Sequence, residues 1–307
     1  MNKKILIHGL ILLLIVVGFS GCIDNEQQPI EGTTNPLLWR IEGDNPSYLF
    51  GSIHLTGEDL LTLPDVVEEA IDEVDYVFTE IKFDDATTLE SVQASMIVTG
   101  ETLQDLLPEN VENKLDNYLK TKSLSITIFS QYKIWSVATT ITLLDQIQEL
   151  AVSPTLDQYL WNLAQEKDKT MGGLETVDEQ LNIFNNLSID EQIIYLNETL
   201  DYLIENEEQG ISLIDTTKEA YINGDLKAIN NLSIADYDEN NPLDVKLWDQ
   251  IIIQRNKNMV FRITENITNN PDDQFFFIIG AGHYYGDEGI LRLLEDEGFT
   301  ITRVHSD

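Results

Sequence analysis

The chain contains one cysteine, few basic side chains and, beyond Phe19, no apolar stretch of the ~18 residues that suggests a spanning helix. Each shortage excludes something. One cysteine cannot build a disulfide framework or a thiolate zinc site. Eighteen Lys and Arg stand against fifty-four Asp and Glu, a net charge of −36. Nucleic acid is therefore excluded as a partner, because binding it requires cationic side chains to displace the counterions on phosphate. There is no H-E-x-x-H run, so the chain is not a zincin. There is no G-x-S-x-G, which argues against a serine hydrolase of the α/β type. What is present is ordinary for a chain that buries a core: 42% of the 307 residues are hydrophobic and 23% are charged. The length suits one large domain or two small ones. The acids are spread along the chain rather than gathered in a tail. Such a surface repels itself, and salt screens that repulsion over ~8–10 Å at 0.1–0.15 M. The melting temperature is expected to rise from low to molar sodium chloride; a flat or falling one contradicts this.

The first residues read as an address. Lys3 and Lys4 precede an apolar run over 5–19, and Ser20-Gly21-Cys22 follows. This is the layout of a secretory signal over 1–21 that is too short to span as a helix. The lone Cys22, directly after two small residues, resembles a lipobox cysteine that takes lipid after cleavage. An uncleaved signal anchor is the alternative. Either way the rest of the chain is expected on the extracytoplasmic face of the cell membrane, held there by its N-terminus. Residues 22–36 are polar and turn-rich and read as a tether.

Residues 37–307 read as one α/β domain. Segments 37–41 and 48–52 suggest two strands joined by the turn residues Gly43, Asp44, Asn45 and Pro46, and the spacing predicts a hairpin. Pro64 can open a helix, with Val66, Val67, Ala70, Ile71 and Val74 following near helical spacing, and 76–81 is a β-rich run. From about 86 to 269 the pattern is helical, most clearly over 130–150, 188–204 and 244–267, with a short strand near 170–173. The chain closes with the apolar strand 275–279, a helix over 287–297 and a strand over 299–304.

The two ends are alike. Each runs strand, G-x-x-H, loop, helix, strand: Gly51-Ser52-Ile53-His54 in the first, Gly280-Ala281-Gly282-His283 in the second. Strand–helix–strand units favour parallel neighbours in one sheet. Ligands sit beyond the carboxyl ends of such strands, so His54 and His283 are expected to face one crevice. The predicted fold is therefore α/β: a mixed, largely parallel sheet built from the two end units, with a large helical insertion between them.

Several runs carry a family resemblance. LWRIEGDNPSYLFGSIH, the later FTE, GLETVDEQ, RNKNM and FFFIIGAGHYYGDEGILRLLEDEGFTITRV together resemble the TraB/GumN family, whose wider group includes the Tiki metalloproteases. The resemblance covers 37–304. It implies an α/β fold whose two G-x-x-H units meet around a divalent metal, manganese or cobalt, and, in the Tiki branch, metal-dependent peptide cleavage.

Carried over residue by residue, it makes His54, His283 and Glu80 the metal ligands. Two imidazoles and a carboxylate suit a first-row divalent ion. Gly51, Gly280 and Gly282 let backbone approach the site. Arg255, of the run RNKNM, is expected to bind a substrate carboxylate or an oxyanion. Glu175, of GLET, is expected as a base or as support, and Gln180 stands near it. Asn256 follows Arg255, while Tyr284 and Tyr285 are candidates for the pocket wall. By the symmetry of the two units, His305 is a candidate to lie where Glu80 lies. Three functions follow: a lipid-anchored metallopeptidase acting on a peptide or protein, a protein that sequesters a peptide signal, and a haem- or metal-binding lipoprotein.

Overall fold

The computed structural model describes residues 32, 33, 35–235 and 237–306. The leader and Cys22 lie outside the described residues. Six strands form one sheet: β1 (Leu38–Ile41), β2 (Ser47–Ser52), β3 (Tyr76–Thr79), β4 (Thr170–Gly173), β5 (Phe275–Gly280) and β6 (Ile301–Val304). Their order is β4-β3-β5-β2-β1-β6. β1 and β2 form the expected antiparallel hairpin, and β5 runs parallel between β2 and β3.

The two chain ends meet in the middle of this sheet. Gly51 pairs with Ile279 and Ser52 with Gly280, so the two G-x-x-H runs leave adjacent strands side by side. β2 and β5 are buried at every position, as parallel strands covered on both faces must be. The aromatic run of β5 explains its central place: Phe275 and Phe277 stack at 5.7 Å, and Phe277 lies 5.8 Å from Phe78 of β3. Large rings of this kind bury the most apolar area per residue.

The neighbour rule drawn from the strand–helix–strand units is corrected. β2 and β3 are not adjacent, because β5 enters between them. β6 does not pair with β5 but lies antiparallel to β1 at the far edge. The hairpin already fills the flank of β2, so the last strand must go outside it.

The helical insertion keeps its own core. Trp135, Phe184, Tyr195, Leu196 and Leu247 are buried together there, and Trp135 stacks on Phe184 at 5.3 Å. The sheet supplies a second core around Phe50, Phe276 and Ile278. The helix expected over 188–204 runs Ile189–Gln209. Ser188 and Glu191 close a capping box at its start, and Gly210 ends it at φ 69°, a left-handed position that favours glycine. The helix expected over 130–150 is broken, with regular structure only over Ile134–Ile141 and short turns after it. Thr139 and Thr140 donate to the Ser136 carbonyl, and Thr142 to that of Thr139. Such back-bonding, with β-branched crowding, opposes continuation.

The third long helix starts at Pro242 and changes pitch. Asp249–Gln254 is a π-helical turn, followed by a regular helix over Arg255–Asn269. The wider turn re-aims the residues that follow it. The last helix is shorter than expected, Ile290–Asp296, because Gly286 holds the preceding loop at φ 89°. Among the described residues no helix is long and apolar enough to cross a membrane.

Candidate metal centre

The candidate residues gather at the carboxyl ends of four neighbouring strands. His54 lies two residues past β2, Glu80 directly after β3, Glu175 two residues past β4 and His283 on the tight turn Ala281–His283 after β5. His54, Glu80, Asp157, Gln180, Phe83 and Ile278 line one cleft, with a volume of about 20 Å³ for a water-sized body. That is room for about one water or one ion.

Glu80 is the hub. Its Oε1 accepts the Gly280 N–H at 2.7 Å, and its Oε2 accepts from Arg255 Nη2 and, at 3.2 Å, from Gln180 Nε2. A Cβ added at Gly280 would come within 3.1 Å of Glu80 Oε1, so a glycine there gives the carboxylate its space. Burial by itself would raise the Glu80 pKa. The Arg255 charge beside it, with His283, His54 and the Gly280 N–H, outweighs burial and holds the carboxyl well below the usual range.

Arg255 is buried, at 6% exposure, and bridges two glutamates. Its Nε donates to Glu175 Oε1 and Oε2 at 3.0 and 3.1 Å, and its Nη2 donates to Glu175 Oε2 at 2.7 Å as well as to Glu80. Gln180 ties Glu175 to the same group at 3.0 Å. Burial would lower the guanidinium pKa, but the two carboxylates raise it instead. Nε and Nη2 of Arg255 thus face Glu80 and Glu175, so this part of the guanidinium serves the carboxylates of the site itself. Two carboxylates facing one guanidinium leave this buried cluster short of positive charge.

The two histidines are held in matching ways by unlike partners. His54 Nδ1 lies 2.6 Å from Asp157 Oδ2, and His283 Nδ1 lies 2.6 Å from Asn256 Oδ1. The Asn256 amide nitrogen donates to the carbonyls of His283 and Glu288, at 3.2 and 2.6 Å. Its oxygen is then the acceptor, and His283 donates from Nδ1. That leaves the lone pair of His283 on Nε2, which lies 3.9 Å from Glu80 Oε1. Two acceptors facing each other across this span call for a cation or a hydrogen-bond donor between them.

Electrostatics divide the pair. Burial lowers the His283 pKa to about 3, with Arg255 adding to the effect, so this imidazole is neutral. Burial would lower His54 too, but the Asp157 charge and hydrogen bond outweigh it and hold His54 up at about 9. Among the described residues, however, no three His, Cys, Asp or Glu side chains are already gathered as a ligand shell. The reason is local: Glu80 Oε2 is turned to Arg255 and Gln180, and His54 is turned at one end to Asp157. The donor set suits a divalent ion in type, with one edge of Glu80 and His283 Nε2 available, and His54 Nε2 available once it gives up its proton.

Other candidates lie elsewhere. Gly51 packs against Leu37, and its carbonyl accepts the Tyr221 hydroxyl at 2.5 Å. Gly282 is within the turn that carries His283. Tyr284 stacks on Trp39 at 4.8 Å, Tyr285 is exposed, and neither lines the cleft. His305 is also corrected: it is exposed beside Asn35, past the edge strand β6, while Glu80 follows β3 on the other side of β5. Sequence reasoning missed Asp157 and gave Asn256 no role. Asp157 stands in the first turn of the helix Leu156–Glu166, where an acid reads as ordinary dipole compensation. No local signal separates it from the other acids.

An α/β sheet with two G-x-x-H turns brought side by side at its carboxyl edge, over a buried Glu–Arg–Glu bridge, defines the class of protein. The chain belongs to the TraB/PrgY/gumN family, which it matches over residues 37–303. It is 26% identical to Metalloprotease TIKI1 of Danio rerio, over 92% of this chain and 65% of that protein. It is 25% identical to the Metalloprotease TIKI homolog of Amphimedon queenslandica, over 96% of this chain and 65% of that one. It is also 23% identical to the uncharacterized protein YbaP of Shigella flexneri, over 83% of this chain and 89% of that protein. The chain thus spans just under two thirds of the length of the TIKI relatives. No solved structure matches it.

Proposed function

We propose that the chain is a metal-dependent peptidase in which His54, His283 and Glu80 hold one divalent cation, manganese or cobalt. The observation that carries this reading is the acceptor pair His283 Nε2 and Glu80 Oε1, 3.9 Å apart in a buried cluster with more carboxylate than guanidinium charge. The relatives named metalloproteases support it. When bound, such an ion polarises a carbonyl and lowers the pKa of a water. The protein's part is to hold the donors. Arg255 and Glu175 fix Glu80 from one side and the Gly280 N–H from the other. Asn256 and Asp157 fix the two imidazoles. Phe83 and Ile278 form apolar walls that limit water at the cleft.

The reading extends to place and partner. Cys22 carries lipid, the domain stays on the extracytoplasmic face, and the substrate is a peptide or protein met there. Metal analysis of the purified protein, with turnover of a peptide library before and after chelation, tests the activity. About one manganese or cobalt per chain and chelator-sensitive cleavage are expected. A protein that binds neither ion, or that cleaves equally well after chelation, contradicts the proposal.

One observation favours a second reading. Because Arg255 already occupies one oxygen of Glu80, the cluster is internally bridged, as a non-catalytic site that sequesters a peptide would tolerate. Tight peptide binding without metal and without turnover distinguishes that case.

A further inference from the structure

We propose that Asp157 is a positioning residue of this centre, fixing the tautomer and ring plane of His54 and keeping one oxygen for a water in the cleft. The proposal rests on the reading of His54 as a metal ligand, but its first part concerns the protein alone. Asp157 is buried, with its side chain 3% exposed, and it lines the same cleft as His54 and Glu80. Its Oδ2 has two partners, His54 Nδ1 at 2.6 Å and the Thr155 hydroxyl at 3.1 Å. Its Oδ1 is buried and has none.

Each half of this geometry has a consequence. A carboxylate only accepts, so the proton shared with His54 belongs on Nδ1. Once the second ring proton leaves, Nε2 is the atom with the lone pair. A carboxylate behind a ligating imidazole fixes its orientation and makes it a better donor, and its loss costs ~10–100-fold in metal affinity. A buried carboxylate oxygen without a partner is costly, so it marks a place where a donor is missing from the protein itself. The cleft's volume of about 20 Å³ suits one water as that donor. Asn256 provides an internal comparison. It holds His283 by the same nitrogen and at the same 2.6 Å, but its amide nitrogen is taken up by two carbonyls and leaves nothing for the cleft. The two histidines therefore have different supports: an amide committed entirely to structure behind His283, and a carboxylate with one free edge behind His54.

The test uses the full chain and two variants, Asp157→Ala and Asp157→Asn. In the metal-free protein, proton NMR of the parent is expected to show a downfield Nδ1–H resonance that His54→Gln removes. Asp157→Ala should lose that resonance and bind Mn²⁺ ~10–100-fold more weakly. Asp157→Asn can still accept from Nδ1–H through its amide oxygen, so it should keep the resonance, shifted, and stay closer to the parent in affinity. Placing an amide NH₂ in the cleft should lower kcat more than it changes KM. Parental resonance and parental Mn²⁺ affinity in Asp157→Ala would overturn the proposal. If the parent itself binds no Mn²⁺, the metal reading fails and the resonance alone decides the positioning role: its loss in Asp157→Ala supports it, and its survival overturns it. Should Asp157→Ala not fold, Asp157→Asn with an unchanged resonance position and unchanged kcat would overturn it equally.

Discussion

Arg255→Met is expected to destabilise the protein by about 3–5 kcal/mol, the cost of removing one partner from a buried ionic group. The side chain bridges Glu80 and Glu175 at 6% exposure, so its loss leaves two carboxylates in the interior without a counterion. At ~2–4 °C per kcal/mol for a domain approaching this size, the melting temperature should fall by about 10 °C. The pH dependence has a definite sign. In the parent, the Glu80 pKa lies below its unfolded value, so its contribution is present above the ordinary carboxylate pKa and is lost as pH falls toward the lowered value. In the variant, the Glu80 carboxylate has lost the charge that outweighs its burial, so it takes up a proton at mildly acid pH and the cost of burying it falls. The gap between parent and variant should therefore narrow from pH 7 to pH 4.5. Urea unfolding at the two pH values measures it. A gap below ~1 kcal/mol at pH 7, or one that widens on acidification, would show that Arg255 is not the charge that holds these glutamates. Arg255→Lys should recover only part of the loss, since an ammonium cannot reproduce the forked contact with Glu175.

His283→Ala or His54→Ala is expected to abolish binding of the divalent ion and to lower peptide cleavage by about 10³-fold, equivalent to ~4 kcal/mol of barrier. The fold should persist, because the sheet core does not depend on either imidazole. The two variants should differ in stability. His54→Ala strands Asp157, whose other oxygen is already unpartnered, so it should be the less stable one. The parent adds a pH signature. His54, held up at about 9, carries a proton at neutral pH in the metal-free protein, whereas His283, lowered to about 3, does not. An ion that binds both must displace about one proton, from His54. Affinity should therefore rise about tenfold per pH unit from 7 to near 9 and then level off. Calorimetry in two buffers of different ionisation enthalpy measures the released proton. Unchanged metal binding in both variants would place the ion elsewhere and remove the main support for a peptidase.

Much of the architecture was legible because it is written at short range. The hairpin at Leu38–Ile41 and Ser47–Ser52 follows from two apolar runs around Gly43 to Pro46, and the strand Thr170–Gly173 stands alone among helical patterns. Ser188 with Glu191, and Gly210, mark the ends of the longest helix by their own side-chain and backbone preferences. The breaks near Thr142 and at Asp249–Gln254 were not legible, since apolar periodicity continues through both.

By itself, the sequence determined that two G-x-x-H turns end apolar strands, that an acid ends a third, and that the chain is too poor in cysteine and basic residues for several alternative chemistries. Only the tertiary structure decided what those groups touch. β5 enters between β2 and β3, and that placement brings Glu80 to the Gly280 N–H and His283 to Glu80. Arg255 reaches Glu175 across 80 residues of chain, and His54 reaches Asp157 across 103. Contacts of that range have no local pattern. They arise where separate elements pack against one sheet edge, and one acid among fifty-four is selected by packing rather than by its neighbours in sequence.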